Sequence, residues 1–332
     1  PTTPQLAQLD ATFNAVLPTS WLAEGLELHV TATVGSGASD QTLLRYPREG
    51  HVAFEVVTPA PFDVVFVPLF LSVHGVTPQV AEDQLGDALL ATYSVYPLNK
   101  VSASVRAPLT YAVDDDFSQV LDVLYEAWLL DEADTYYHAL VPAVVEKPAA
   151  AGIAQVGGPL SWSLVVPPSE LEDGQSQFGG MTIAHELGHN FGLRHASCGL
   201  GGKHDPTYPY FDGRTATFGV NRFDLPDTEY LLQPELADLM SYCHPRWISD
   251  HNYGEVLTYR QRPPAWLDWG RPEPTARPAG APGEPEVITV LLVSGRISGG
   301  AATLRPTFAF EGQPRAPGGG GGGRGGGRGS GG

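Results

Sequence analysis

Residues 185–195 read His-Glu-Leu-Gly-His-Asn-Phe-Gly-Leu-Arg-His, and no other stretch restricts the fold of this chain so strongly. His185 and His189 stand four apart, so a helix carries both side chains on one face, about one turn apart. Two imidazoles at that spacing can reach a single metal ion at roughly 2.0–2.1 Å, the range of zinc–nitrogen bonds. Glu186 is rotated off the metal, where a carboxylate can take a proton from an activated water. His195 adds a condition. On a continued helix it would lie roughly 9 Å beyond His189 along the axis, on another face. The three histidines meet only if the helix ends between them. Gly192 allows this, because without a Cβ it can adopt the left-handed conformation that turns the chain back. The stretch therefore predicts a helix, its end and a metal site together, and these joint spacings argue against a helix with incidental histidines.

The flanking sequence supplies strands and helices to hold it. Residues 62–70 form a continuous apolar run suited to a buried strand. Thr77-Pro78 opens a predicted helix toward Tyr93, with Thr as N-cap and Pro at the first helical position. Residues 101–105 read as a strand, and Phe117, Val120, Leu121, Leu124 and Trp128 as a helix face. Residues 136–141 and 162–166 supply two more strands. This alternation predicts an α/β class, with a mixed sheet and backing helices ahead of the metal-binding helix. Residues 1–60 are set apart as a small β-rich segment. There, 26–34 alternates apolar and polar residues until Gly35-Ser36-Gly37, and 51–57 reads as a second strand. The unit carrying the chemistry is placed at 61–262. A Pro-rich linker follows at 263–285, then a short β segment at 286–316 and a disordered Gly-rich tail at 317–332.

Composition narrows the partners. The 332 residues carry 19 Lys and Arg against 37 Asp and Glu, a formal net charge of −18. That balance disfavours nucleic acid and anionic membranes. The longest apolar run, 64–73, is too short to span a bilayer. The chain begins at Pro1 with no visible signal peptide, as expected of a mature or trimmed chain. Asp114-Asp115-Asp116 has the make-up of a calcium (Ca2+) site, but nothing else in the sequence supports calcium. Complementing the N-terminus of the following helix accounts for the triplet.

The stretch from His185 to His195 resembles the metzincin signature, HExxHxxGxxH followed by a methionine turn. Asp238-Leu239-Met240-Ser241-Tyr242-Cys243 resembles that turn. The resemblance covers about 61–259. It implies a twisted mixed sheet with backing helices and one catalytic Zn2+ held by His185, His189 and His195. It further implies Glu186 as general base, Met240 as an apolar floor beneath the metal, and hydrolysis of peptide bonds in a protein substrate. Residues 208–250 are similar to large secreted bacterial metzincins of the StcE type, which implies secretion and glycoprotein substrates. Ala196, directly after the third histidine, departs from the Asp, Glu or Pro of the reprolysin, astacin and serralysin branches, so no branch is assigned.

On the same resemblance, Tyr242 matches the Met-x-Tyr of astacins and serralysins, whose phenol approaches the zinc. A core tyrosine beneath the helix is the alternative. Cys198 follows His195 by three residues and Cys243 follows Met240 by three. A disulfide joining the ligand loop to the turn fits better than a cysteine–zinc bond, which would close a catalytic site, and it points to an oxidising compartment. His204 and His244 flank the site, but three histidines already complete a catalytic shell. Residues 158–164 are expected to form the sheet edge that pairs with extended substrate. Two other readings stay open. One is a binding protein on an inactive metzincin scaffold, which the presence of Glu186 speaks against. The other is a zinc hydrolase of a non-peptide bond.

Overall fold

A computed structural model gives the structure of the chain. It describes residues 17–34, 42–112, 117–144, 150–166, 177–199, 204–221, 231–262 and 264–268, and the backbone of four strands between 288 and 312. The acidic triplet at 114–116, most of the Pro-rich linker and the Gly-rich tail lie outside the described residues.

The N-terminal segment forms two small antiparallel pairs. β1 (Glu27–Leu28) pairs with β4 (Val52–Ala53), and β2 (Val30–Val34) pairs with β3 (Thr42–Tyr46). The single strand expected over 26–34 is broken at His29, where the chain changes partner. The strand expected over 51–57 shrinks to the two residues that have one.

The apolar run becomes β5 (Phe62–Leu71), the axis of the main sheet. β6 (Val101–Val105) and β7 (Leu109–Tyr111) both run parallel to it along one edge. β8 (Tyr136–Pro142) is parallel on its other side, followed by parallel β10 (Leu160–Val165) and antiparallel β9 (Gly152–Ala154). The sheet order is thus β6-β5-β8-β10-β9, a mostly parallel α/β layer as expected. The expected substrate edge at 158–164 must be corrected. β10 is covered on both sides, by β8 and by β9, so among the described residues the outer strand is the three-residue β9, too short to announce itself in the sequence.

α1 (Leu85–Val95) packs against α3 (Gly180–Asn190), and α2 (Val120–Leu130) packs on β8 and β10. α1 starts later than the Thr77-Pro78 signal suggested. Ala81 is extended (φ −93°, ψ 149°) and gives its N–H to Gln84 Oε1 at 3.2 Å, so the helical residues begin after it. β8 carries a fully buried His138, whose two ring nitrogens each lie 2.8 Å from a hydroxyl of β10, those of Ser161 and Ser163. Burial lowers its pKa to about 3, so it is a satisfied neutral core residue.

β11 (Ala237–Asp238) and β12 (Arg246–Trp247) form a short parallel pair ahead of α4 (Asp250–Arg260). Trp266, which the sequence places in the linker, is buried. It packs edge-on against Trp128 and Tyr136, with ring centroids 6.0 and 5.0 Å away. A side chain of that size is worth about 1.5–3 kcal/mol when fully buried, so the core extends past 262. Beyond it, β13 (Ile288–Leu292) pairs antiparallel with β16 (Phe308–Gly312), and β14 (Gly295–Ser298) with β15 (Ala301–Leu304). Among the described residues, no helix is long and apolar enough to cross a membrane.

Candidate metal centre

α3 carries His185, Glu186 and His189, all buried. The helix ends where the sequence places its end. Gly192 has φ +92°, and the amides of Gly192 and Leu193 close onto the carbonyls of His189 and Gly188 at 2.8 and 3.0 Å. The turn brings His195 back, and the ligand nitrogens of the three histidines lie within 4.8 Å of one another.

The protons on these rings decide what the cluster can hold. His185 Nδ1 and His189 Nδ1 each lie 2.8 Å from a backbone carbonyl, of Leu239 and Leu193. A carbonyl only accepts, so Nδ1 carries the proton and Nε2 presents a lone pair. Burial, and then the neighbouring His189, lower the His185 pKa to about 3. Burial also brings His189 to about 4 and lowers His195. His189 Nε2 and His195 Nε2 face each other at 3.1 Å. Tetrahedral zinc sets its nitrogen ligands about 3.3 Å apart. Two Nε2 lone pairs, of His185 and His189, with the His195 ring turned toward them, make a donor set that suits Zn2+, so the residues fit the ion.

Glu186 stands beside this point under a glycine. A Cβ on Gly152 of β9 would fall 2.6 Å from Glu186 Oε1 and 2.7 Å from its Cγ, so only glycine leaves the carboxylate room. Burial pushes its pKa up to about 8, and the Arg246 cation opposes that rise. Asn190 fixes the helix to the β9–β10 connection, donating from Nδ2 to the carbonyls of Gln155, just after β9, and Leu160, the first residue of β10.

A tight turn forms the floor. Asp238, fully buried, accepts from Met240 N (2.7 Å), Asn252 Nδ2 (2.8 Å) and Ser249 N (2.9 Å). Met240 has no exposed surface. It lies under α3 at Gly188, where a Cβ would overlap Tyr96 Oη and come within 2.7 Å of Met240 Sδ. Tyr96 is held there by donating to Ala184 O at 2.9 Å. The third-histidine loop is tied to this turn twice by backbone, Ala196 N to Met240 O and Tyr242 N to Cys198 O, both at 3.0 Å. It is tied once covalently: Cys198 and Cys243 form a disulfide with Cα atoms 5.7 Å apart. A crosslink closing a loop of 45 residues contributes about 2–4 kcal/mol.

Tyr242 is 54% exposed, facing the histidines from the open side rather than packing beneath the helix. Its Oη is 3.3 Å from His195 Nε2. His204 and His244 stand away from the triad and line a neighbouring cavity of about 890 Å3 together with the disulfide. Sequence reasoning did not single out Gly152, Gly188, Tyr96, Asp238 or Arg246. Gly188 carried a usable signal, being a glycine inside a helix, where the residue is costly without a packing reason.

Residues 101–196 match the family described as metallo-peptidase family M12B, reprolysin-like. The match covers under a third of the 332 residues; it includes all three histidines and ends at Ala196, before the turn at Met240. With the triad, it supports a metzincin-like zinc protease. No curated protein matches the chain. A solved chain from the "Structure of a chaperone-substrate complex" aligns with 68% of this chain at 14% identity and a TM-score of 0.32. This chain spans 39% of that one's length, and at such a score the alignment carries no argument.

Proposed function

We propose that the chain is a secreted endopeptidase that hydrolyses peptide bonds in extracellular proteins, glycoproteins among them. In this reading one zinc ion is held by His185, His189 and His195, and Glu186 is the general base. The observation that carries it is the convergence of three histidine rings, two of them on α3, beside the buried Glu186 of that helix. Zinc, when bound, would supply Lewis acidity toward a water and a substrate carbonyl. Glu186 accepts the proton of the attacking water and delivers one to the leaving amine, roles that its burial under Gly152 suits. The Tyr242 phenol donates a hydrogen bond to the developing oxyanion. Met240 and Gly188 hold the helix at a fixed height, so the histidines stay converged. The outer edge of β9, unpaired among the described residues, receives substrate as an added strand. The disulfide supports an oxidising, extracellular setting.

Hydrolysis of casein and of a mucin-type glycoprotein, with and without chelator, tests the reading. Glu186→Gln is expected to keep fold and zinc while the rate falls by roughly 10²–10⁴. If that variant loses its metal, or hydrolyses at the wild-type rate, Glu186 is not the base.

A further inference from the structure

The first histidine is backed by a carboxylate that the second lacks. His185 Nδ1 donates to the carbonyl of Leu239 at 2.8 Å. That carbonyl and the amide of Met240 belong to one peptide unit, and in a planar trans peptide they point in opposite directions. The amide end is taken as well, since Met240 N donates to Asp238 Oδ1 at 2.7 Å. Carboxylate, peptide and imidazole thus stand in one chain of hydrogen bonds. His189 gives a comparison inside the same site. Its Nδ1 donates to Leu193 O, also at 2.8 Å. The other end of that peptide unit is the amide of Arg194, and among the described residues no carboxylate accepts from it.

The surroundings of Asp238 suit a charge. The residue has no exposed surface, and Met240 N, Asn252 Nδ2 and Ser249 N all meet its two oxygens as donors. A protonated carboxyl would need an acceptor at one oxygen, whereas an ionised one only accepts. Burial raises its pKa, and the hydrogen bonds from Ser249, Met240 and Asn252 oppose that rise. In a buried, weakly polarisable setting, hydrogen bonds in a chain strengthen one another. A carboxylate pulling on the Met240 N–H therefore makes the Leu239 carbonyl a stronger acceptor for the imidazole proton.

We propose that Asp238 is a positioning residue for His185, acting through the Leu239–Met240 peptide. It fixes the proton on Nδ1 and makes Nε2 a stronger donor to a metal than the Nε2 of His189. The partner behind a ligating histidine normally sets its tautomer and raises its basicity. That Nε2 serves a metal rests on the reading of the triad as a zinc site.

Heteronuclear NMR of histidine-labelled, metal-stripped chain reads the relay without zinc, and zinc titration against a competing chelator reads its use. In the wild-type chain the His185 Nδ1–H should resonate downfield of its His189 counterpart, although both bonds measure 2.8 Å. Asp238→Asn keeps the size and an acceptor oxygen but removes the charge. It should move the His185 proton upfield, leave that of His189 in place and weaken zinc binding about ten- to a hundredfold. Asn252→Ala breaks the same buried network while sparing the charge and its bond to Met240, and it should change proton resonances and zinc affinity little. An unmoved His185 proton in Asp238→Asn, equal movement of both histidines, unchanged zinc affinity, or equal losses in the two variants would each overturn the assignment. If Asp238→Asn fails to fold, the wild-type order decides, and a His189 proton level with or downfield of that of His185 overturns it. A His185 proton that answers to Asp238 in a chain taking up no zinc would leave the relay standing and reject the zinc reading.

Discussion

Tyr242 shows what single residues contribute here. Its ring stands in the open cleft with Oη 3.3 Å from His195 Nε2, close enough to serve a charge that develops at the metal side of the site. An oxyanion donor is worth about 2.7–4 kcal/mol of barrier. Tyr242→Phe is therefore expected to lower kcat by about a hundredfold or more, with KM and zinc content little changed. Steady-state kinetics with a parallel metal assay checks this, and retention of more than half the wild-type kcat would make the tyrosine structural. At this scale the sequence was most legible for groups that must share a short segment. His185, Glu186, His189, Gly192 and His195 fall within eleven residues, and helix geometry alone relates them. It was least legible for residues that act through absence or through the fold. Gly152 matters because it has no side chain where Glu186 lies. Asp238 matters because the fold sets its turn against His185, with Leu239 54 residues further along the chain. Neither effect has a spacing that local periodicity records.

Elements show a similar division. β5, α2 and β8 follow from long apolar or periodic runs, and the end of α3 follows from Gly192. β7 and β9 were missed because three residues carry no period, and their conformation comes from the neighbours they pair with. The start of α1 shifted because the chain stays extended through Ala81, whose N–H is taken by the Gln84 side chain. The seam between α3 and the turn at Met240 gives the sharpest test at this scale. Glycine inside a helix normally costs about 1 kcal/mol relative to alanine, so Gly188→Ala should stabilise an isolated helix. Here the added methyl meets Tyr96, already pinned by Ala184, and Met240. Overpacking typically costs about 1–3 kcal/mol. Denaturant melts should therefore show Gly188→Ala less stable than wild type, with reduced zinc retention. An increase in stability would mean that α3 does not press on this floor.

For the whole molecule, two distant crosslinks hold the cleft in one piece. Arg260 joins the end of α4 to the chain entering β5, across about two hundred residues. The Cys198–Cys243 disulfide joins the loop after the third histidine to the segment after Met240. Between them, α3 is fixed to the sheet by Asn190 and to the turn by the Leu239 carbonyl. The account requires this framework to hold three imidazoles converged for one ion. Elemental analysis of protein purified without added metal tests that most directly. Wild-type chain should carry close to one equivalent of zinc, and His189→Ala should lose it while retaining the disulfide. Full zinc occupancy in His189→Ala, or wild-type chain that takes up no zinc, would contradict the account.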